Sequence, residues 1–77
     1  MENIKDHIVS DPNILFGKPT FKGTRIPVDL ILEMLSNNLD YNEILEAYPQ
    51  LTKISIMAAL AFASESLKTE VIKKVAS

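Results

Sequence analysis

Three cations, Lys18, Lys22 and Arg25, fall within residues 16–28, FGKPTFKGTRIPV, a stretch that also holds two Gly and two Pro and contains no acid. Cations at that density suit phosphate oxygens or a cluster of carboxylates. Lys18 and Lys22 are four residues apart and share one side of an extended segment, whereas Arg25 follows Gly23, where the strand can break. Thr24 either caps or contacts. Arg25 is the sole arginine, and two roles compete for it: tying the arm to helix carbonyls or to Asp11 or Asp29, and direct recognition of a ligand. The lysines also have a plain use, since exposed lysines keep an edge strand from pairing with strangers.

The remaining inventory excludes most catalysis. The chain has no cysteine and one histidine, and His7 has no triad or metal partner near it in sequence. Neither a phosphate loop nor a metal-spaced cluster of acids is present. The expectation is a protein that is not an enzyme and takes no cofactor, metal or small-molecule substrate. Net charge is −2, and with +3 carried by residues 16–28 the rest of the chain holds −5. The polarity is local, a basic arm on a mildly acidic body. The N-terminal residues are polar and charged, so neither a secretory signal nor a membrane span is expected, and the default location is cytoplasmic.

The arm must be held by something. Residues 7–10 are β-prone, stop at Asp11-Pro12, and can pair with residues 19–21 in a small sheet, alone or shared between subunits. Pro27 suits the start of a first helix running to Ser36 or Asn37, with Val28, Ile31, Leu32, Leu35 and Leu39 on its core face and Asn37-Asn38 as a left-handed stop. Asp40 and Glu43 form an acidic capping box for a second helix over residues 41–47, which Pro49 ends. After a break at residues 48–52, Thr52 caps a third helix, with Ser55 where a Glu is usual, so this box reads as half present. Helix three carries two apolar stripes, one through Ile54, Met57, Ala58 and Ala61, the other through Ile56, Leu60, Ala63 and Leu67, which Val71 and Val75 extend. One stripe faces helices one and two; the other needs a second home.

At 77 residues the chain is one domain, 1–77, and a domain this small buries only about 60% of its unfolded surface. A homodimer is therefore expected, with Phe21, Ile56, Leu60, Leu67, Val71 and Val75 as residues of a dimer or partner interface.

The string IVSDPNILFGKPTFKGTRIPVDLIL, followed by YNEILEAYPQLT and ISIMAALAFA, closely resembles the family known as domain of unknown function 433. The resemblance spans residues 8–63, leaving residues 1–7 as an extension and 66–77 as a helical tail. It implies a mainly α fold: a three-helix helix-turn-helix core, homeodomain- or winged-helix-like, with a short N-terminal β arm. It also implies an antitoxin-like regulator, encoded beside a PIN-like toxin nuclease, that binds that nuclease, with double-stranded operator DNA as a further candidate partner. Two departures stand out, Asn37-Asn38 in place of a glycine ending helix one, and Lys53-Ile54-Ser55 in place of an acidic start to helix three.

The residues temper the DNA reading. Base-edge readout needs Arg, Lys, Asn or Gln on the exposed first turns of a recognition helix. Helix three offers Lys53 and Ser55, preceded by Gln50 and Thr52. The arm is the better DNA surface, and Lys18, Lys22, Thr24, Arg25 and Lys53 are the candidate contacts for DNA or toxin. The two readings are a protein-binding antitoxin and a stand-alone dimeric DNA-binding regulator.

Overall fold

The computed structural model describes residues 6–76, with side chains through Lys68. Two short strands, β1 (Ile8–Val9) and β2 (Thr20–Phe21), precede three helices, α1 (Val28–Ser36), α2 (Tyr41–Ala47) and α3 (Lys53–Ala76). The strands pair antiparallel with Ile8 opposite Phe21 and Val9 opposite Thr20. The small sheet thus closes within one chain. A single bridge from Thr20 to Pro27 folds the arm back on itself and hands the chain to α1.

The arm turns at residues 21–24, where the Thr24 N–H donates to the Phe21 carbonyl at 3.0 Å. Gly23, at φ 81°, occupies the third position of that turn, the place where a type II turn demands positive φ. Thr24 locks the geometry from its side chain: Oγ1 donates to the Phe21 carbonyl at 2.8 Å and accepts from the Ile26 N–H at 3.0 Å. The Lys22 N–H donates to His7 and the Phe21 N–H to Ile26, so the arm's backbone groups are spent internally.

Each helix end follows from its residues. Pro27 is the N-cap of α1, and the Val28 N–H donates to the Pro19 carbonyl at 2.9 Å, tying the helix to the arm. At the other end Asn38 takes φ 70°. The Asn38 N–H then donates to Leu35 and the Leu39 N–H to Met34, the paired bonds of a Schellman motif, and a glycine is not required. Asp40 and Glu43 make the full capping box of α2, with reciprocal bonds of 2.9 and 3.0 Å. The box at α3 is also complete. Thr52 Oγ1 accepts from the Ser55 N–H at 3.3 Å, and Ser55 Oγ accepts from the Thr52 N–H at 3.1 Å. A serine hydroxyl does here what a glutamate usually does.

The core joins all the elements: Ile8, Phe21 and Ile26 of the arm, Val28 and Ile31 of α1, Ile44 of α2, Leu51, and Ile56, Ala58 and Ala59 of α3. Leu32, Leu35 and Leu39 are half-buried against it, as the spacing of α1 implies. The two stripes read on helix three are redrawn. Its core face is Ile56, Ala58 and Ala59 with Phe62, while Ile54, Met57, Leu60 and Leu67 face outward, so each stripe is split between core and surface. Met57 is 54% exposed, and its sulfur accepts the Tyr41 hydroxyl at 3.4 Å.

The fold is mainly helical, with three helices and a two-stranded N-terminal sheet. Among the described residues no helix is long and apolar enough to cross a membrane.

Candidate functional site

The cations of the arm divide into one that is engaged and two that are not. Lys18 Nζ lies 2.8 Å from Asp29 Oδ2, with both side chains about half exposed or more. Asp29 therefore takes Lys18 as its partner, and the role weighed for Arg25 passes to the lysine. Asp11 is used locally, its Oδ1 accepting the Asn13 N–H at 2.9 Å. Among the described residues the guanidinium of Arg25 and the ammonium of Lys22 have no hydrogen-bond or ion-pair partner, and both residues are exposed. They flank Gly23 and Thr24 at the tip of the arm. A rigid turn thus presents two free cations to solvent.

The Thr24 hydroxyl donates its proton and accepts one bond within that turn, which holds the backbone leading into Arg25. Lys53 is exposed, its Nζ sitting 5.6 Å from the centroid of the Tyr41 ring in a cation–π contact across the α2–α3 junction. It sits on the first turn of α3.

The surface of α3 is apolar where a recognition helix would be polar. Ile54, Met57, Leu60 and Leu67 are 50%, 54%, 41% and 55% exposed. At 100° per residue, Met57, Leu60 and Leu67 fall within an arc of about 80°, one seam on the side of the helix away from Phe62. Of the residues expected at an interface, Leu60 and Leu67 lie on this seam. Phe21 and Ile56 do not serve there: at 2% and 0% exposure they are buried in the chain's own core. The arm folds back over Phe21, and α1 and α2 cover Ile56. Val71 and Val75 belong to α3, and their side chains lie outside the described residues.

Among the described residues no group of three or more His, Cys, Asp or Glu is placed to hold a metal ion. A shallow open depression of about 390 Å³ lies beside the Lys18–Asp29 pair, lined by Pro27, Leu30 and Glu33 as well.

Sequence reasoning missed one exposed residue that the backbone sets apart. Leu15, Phe16 and Gly17 have φ of 49°, 57° and 85°, three left-handed residues in succession, and Phe16 is fully exposed at 102%. A composition signal was available in Gly17-Lys18-Pro19, which marks a turn. Nothing in residue type announces an aromatic on left-handed backbone.

The profile of a family described as "Protein of unknown function (DUF433)" matches residues 8–63. No curated protein matches the chain. Among solved structures, the chain is similar to a DUF433 member protein from Anabaena variabilis ATCC 29413, with a TM-score of 0.74 and 24% sequence identity over 96% of this chain and 72% of that one. That likeness bears on the fold. With the profile covering most of its length, the chain belongs to the DUF433 family.

Proposed function

We propose that this protein is an antitoxin-like regulator whose principal partner is another protein, a PIN-like nuclease, bound along the apolar seam of α3. The observation that carries the reading is the exposure of Met57, Leu60 and Leu67 in one arc of a helix whose Ala58, Ala59 and Phe62 are already packed in or against the core. A soluble helix does not present large apolar side chains in register without a use for them. A seam of this kind lays into an apolar groove, the helix-in-groove mode of recognition.

The arm supplies the inhibitory chemistry in this reading. A PIN-like nuclease works through acidic residues that hold metal, and a cation aimed into such a cluster competes with that metal. Arg25 is the better candidate because its fork matches carboxylates and the turn fixes its approach. Lys22 stands beside it. Lys18 is already neutralised by Asp29.

Operator binding is the second reading, favoured by those same free cations at the arm tip and disfavoured by the apolar first turns of α3. Salt separates the two. Purified protein is titrated with the PIN-like nuclease encoded next to it, and separately with the DNA upstream of its own gene, between about 50 and 200 mM salt. A submicromolar protein complex that persists at the higher salt supports the nuclease reading. No complex at micromolar concentrations overturns it, and DNA affinity falling steeply with salt, at about 0.9 log units per phosphate neutralised, transfers the function to DNA.

A further inference from the structure

The turn at Leu15–Gly17 carries a fully exposed aromatic close in sequence to an apolar cavity. Phe16 stands on left-handed backbone with its side chain entirely in solvent. For an L-residue that conformation costs on the order of 1–2 kcal/mol, and full exposure of a phenyl ring adds a hydration cost. Neither is recovered within the chain. Two residues further on begins a cavity of about 110 Å³, walled by Pro19, Val28, Leu32 and Phe62 and rimmed by Lys18 and Asp29. Its interior is almost wholly apolar. It is smaller than the cavity of about 150 Å³ that accepts benzene, so it takes the leading part of a phenyl ring and leaves the rest at the rim.

The geometry points to a two-fold dimer in which Phe16 of each copy inserts into the Pro19–Val28–Leu32–Phe62 cavity of the other. Root and cavity are close enough for this, because Phe16 and Lys18 are two Cα steps apart, at most about 7.6 Å. A knob and a socket this close in one chain become self-complementary about an axis passing between them, the condition for an isologous interface. Charge agrees with this occupant: the rim's Lys18 and Asp29 neutralise each other in the same chain. A second copy therefore brings no unpaired charge into the contact.

The socket also leaves the α3 seam clear. Phe62 is roughly 180° around the helix from the centre of Met57, Leu60 and Leu67, so dimer and nuclease occupy different sides of α3. Two reciprocal knobs bury several hundred Å² per copy, below the roughly 800 Å² of a standard stable interface. A micromolar dimer is the consequence, and it stands independently of the nuclease reading.

The test is sedimentation equilibrium of the wild type, Phe16→Gly and Leu32→Trp, alone and mixed. Phe16→Gly removes the knob and accommodates the backbone; Leu32→Trp plugs the socket and keeps the knob. Each variant alone is expected to weaken the dimer by about 100-fold or more. Phe16→Gly is also expected to raise the monomer's melting temperature by several degrees, as strain at φ 57° is relieved. The equimolar mixture restores one knob in one socket and so dimerises more tightly than either variant. A wild type that is monomeric at about 1 mM, or a Phe16→Gly protein that dimerises like the wild type, overturns the assignment. So does a mixture no tighter than its components. Should Leu32→Trp fail to fold, Phe16→Gly decides alone.

Discussion

Replacing Thr20 with valine should make the protein more stable. Thr20 is 0% exposed, sits in β2 opposite Val9, and bridges to Pro27, so it lies where the arm meets α1. Its Oγ1 has no hydrogen-bond partner among the described residues. A buried hydroxyl without a partner costs about 1–3 kcal/mol. Valine keeps the β-branched shape, removes that cost and buries one more methyl, a gain of about 0.8 kcal/mol where the fit is good. Allowing for imperfect packing, Thr20→Val is expected to gain at least about 1 kcal/mol, which in a domain of this size is roughly 4–8 °C in melting temperature. Thr20→Ser keeps the hydroxyl and discards the methyl, so it should lose about 1 kcal/mol. The assay is urea and thermal denaturation of the three proteins at one concentration. The order Val, Thr, Ser is required. A Thr20→Val protein no more stable than the wild type would mean that the hydroxyl is satisfied in solution, and the polar accounting at the arm would be refuted.

Other perturbations test the packing and the caps. Asp40→Ala deletes half of a reciprocal box, and chemical denaturation should show a loss of about 1 kcal/mol with an unchanged m-value. Ile56→Ala opens a cavity at the centre of the core and should cost about 2–5 kcal/mol, against a total of about 4–12 kcal/mol for a chain of this length. Ile54→Ala, two residues away but 50% exposed, should change stability by no more than about 0.5 kcal/mol. Thermal melts of the pair decide whether the phase of α3 is as described.

The parts of this fold that sequence makes legible are those governed by local chemistry. Pro27, Asp40, Glu43 and Pro49 bracket α1 and α2 because each acts on the backbone within a turn of itself. Asn38 is readable as a stop because asparagine tolerates left-handed φ. The phase of α3 is not readable in this way. With Ile54, Ile56, Met57, Ala58, Ala59 and Leu60 in one run, apolar residues point in every direction, and only the positions of α1 and α2 decide that Ile56 goes in and Met57 stays out. Phe21 misleads for a related reason. A short strand at an edge reads as surface, until the bridge from Thr20 to Pro27 folds residues 22–26 back and closes the core over the ring. The cation pairing is a third case: Lys18 and Arg25 are equivalent partners for Asp29 on charge alone, and the path of the turn chooses Lys18. Phe16 lay beyond residue-type reasoning, since aromatic residues seldom adopt φ near 57°.

In the proposed function the exposed side of α3 is the surface for a protein partner. Leu60→Glu and Leu67→Glu, made together, place two charges on that seam at positions 41% and 55% exposed. Isothermal titration of this double variant against the PIN-like nuclease, beside a thermal melt, is the most direct test. The double variant is expected to melt within a few degrees of the wild type and to bind at least about 100-fold more weakly, the cost of burying charges without partners. Undiminished binding by the folded double variant would contradict it.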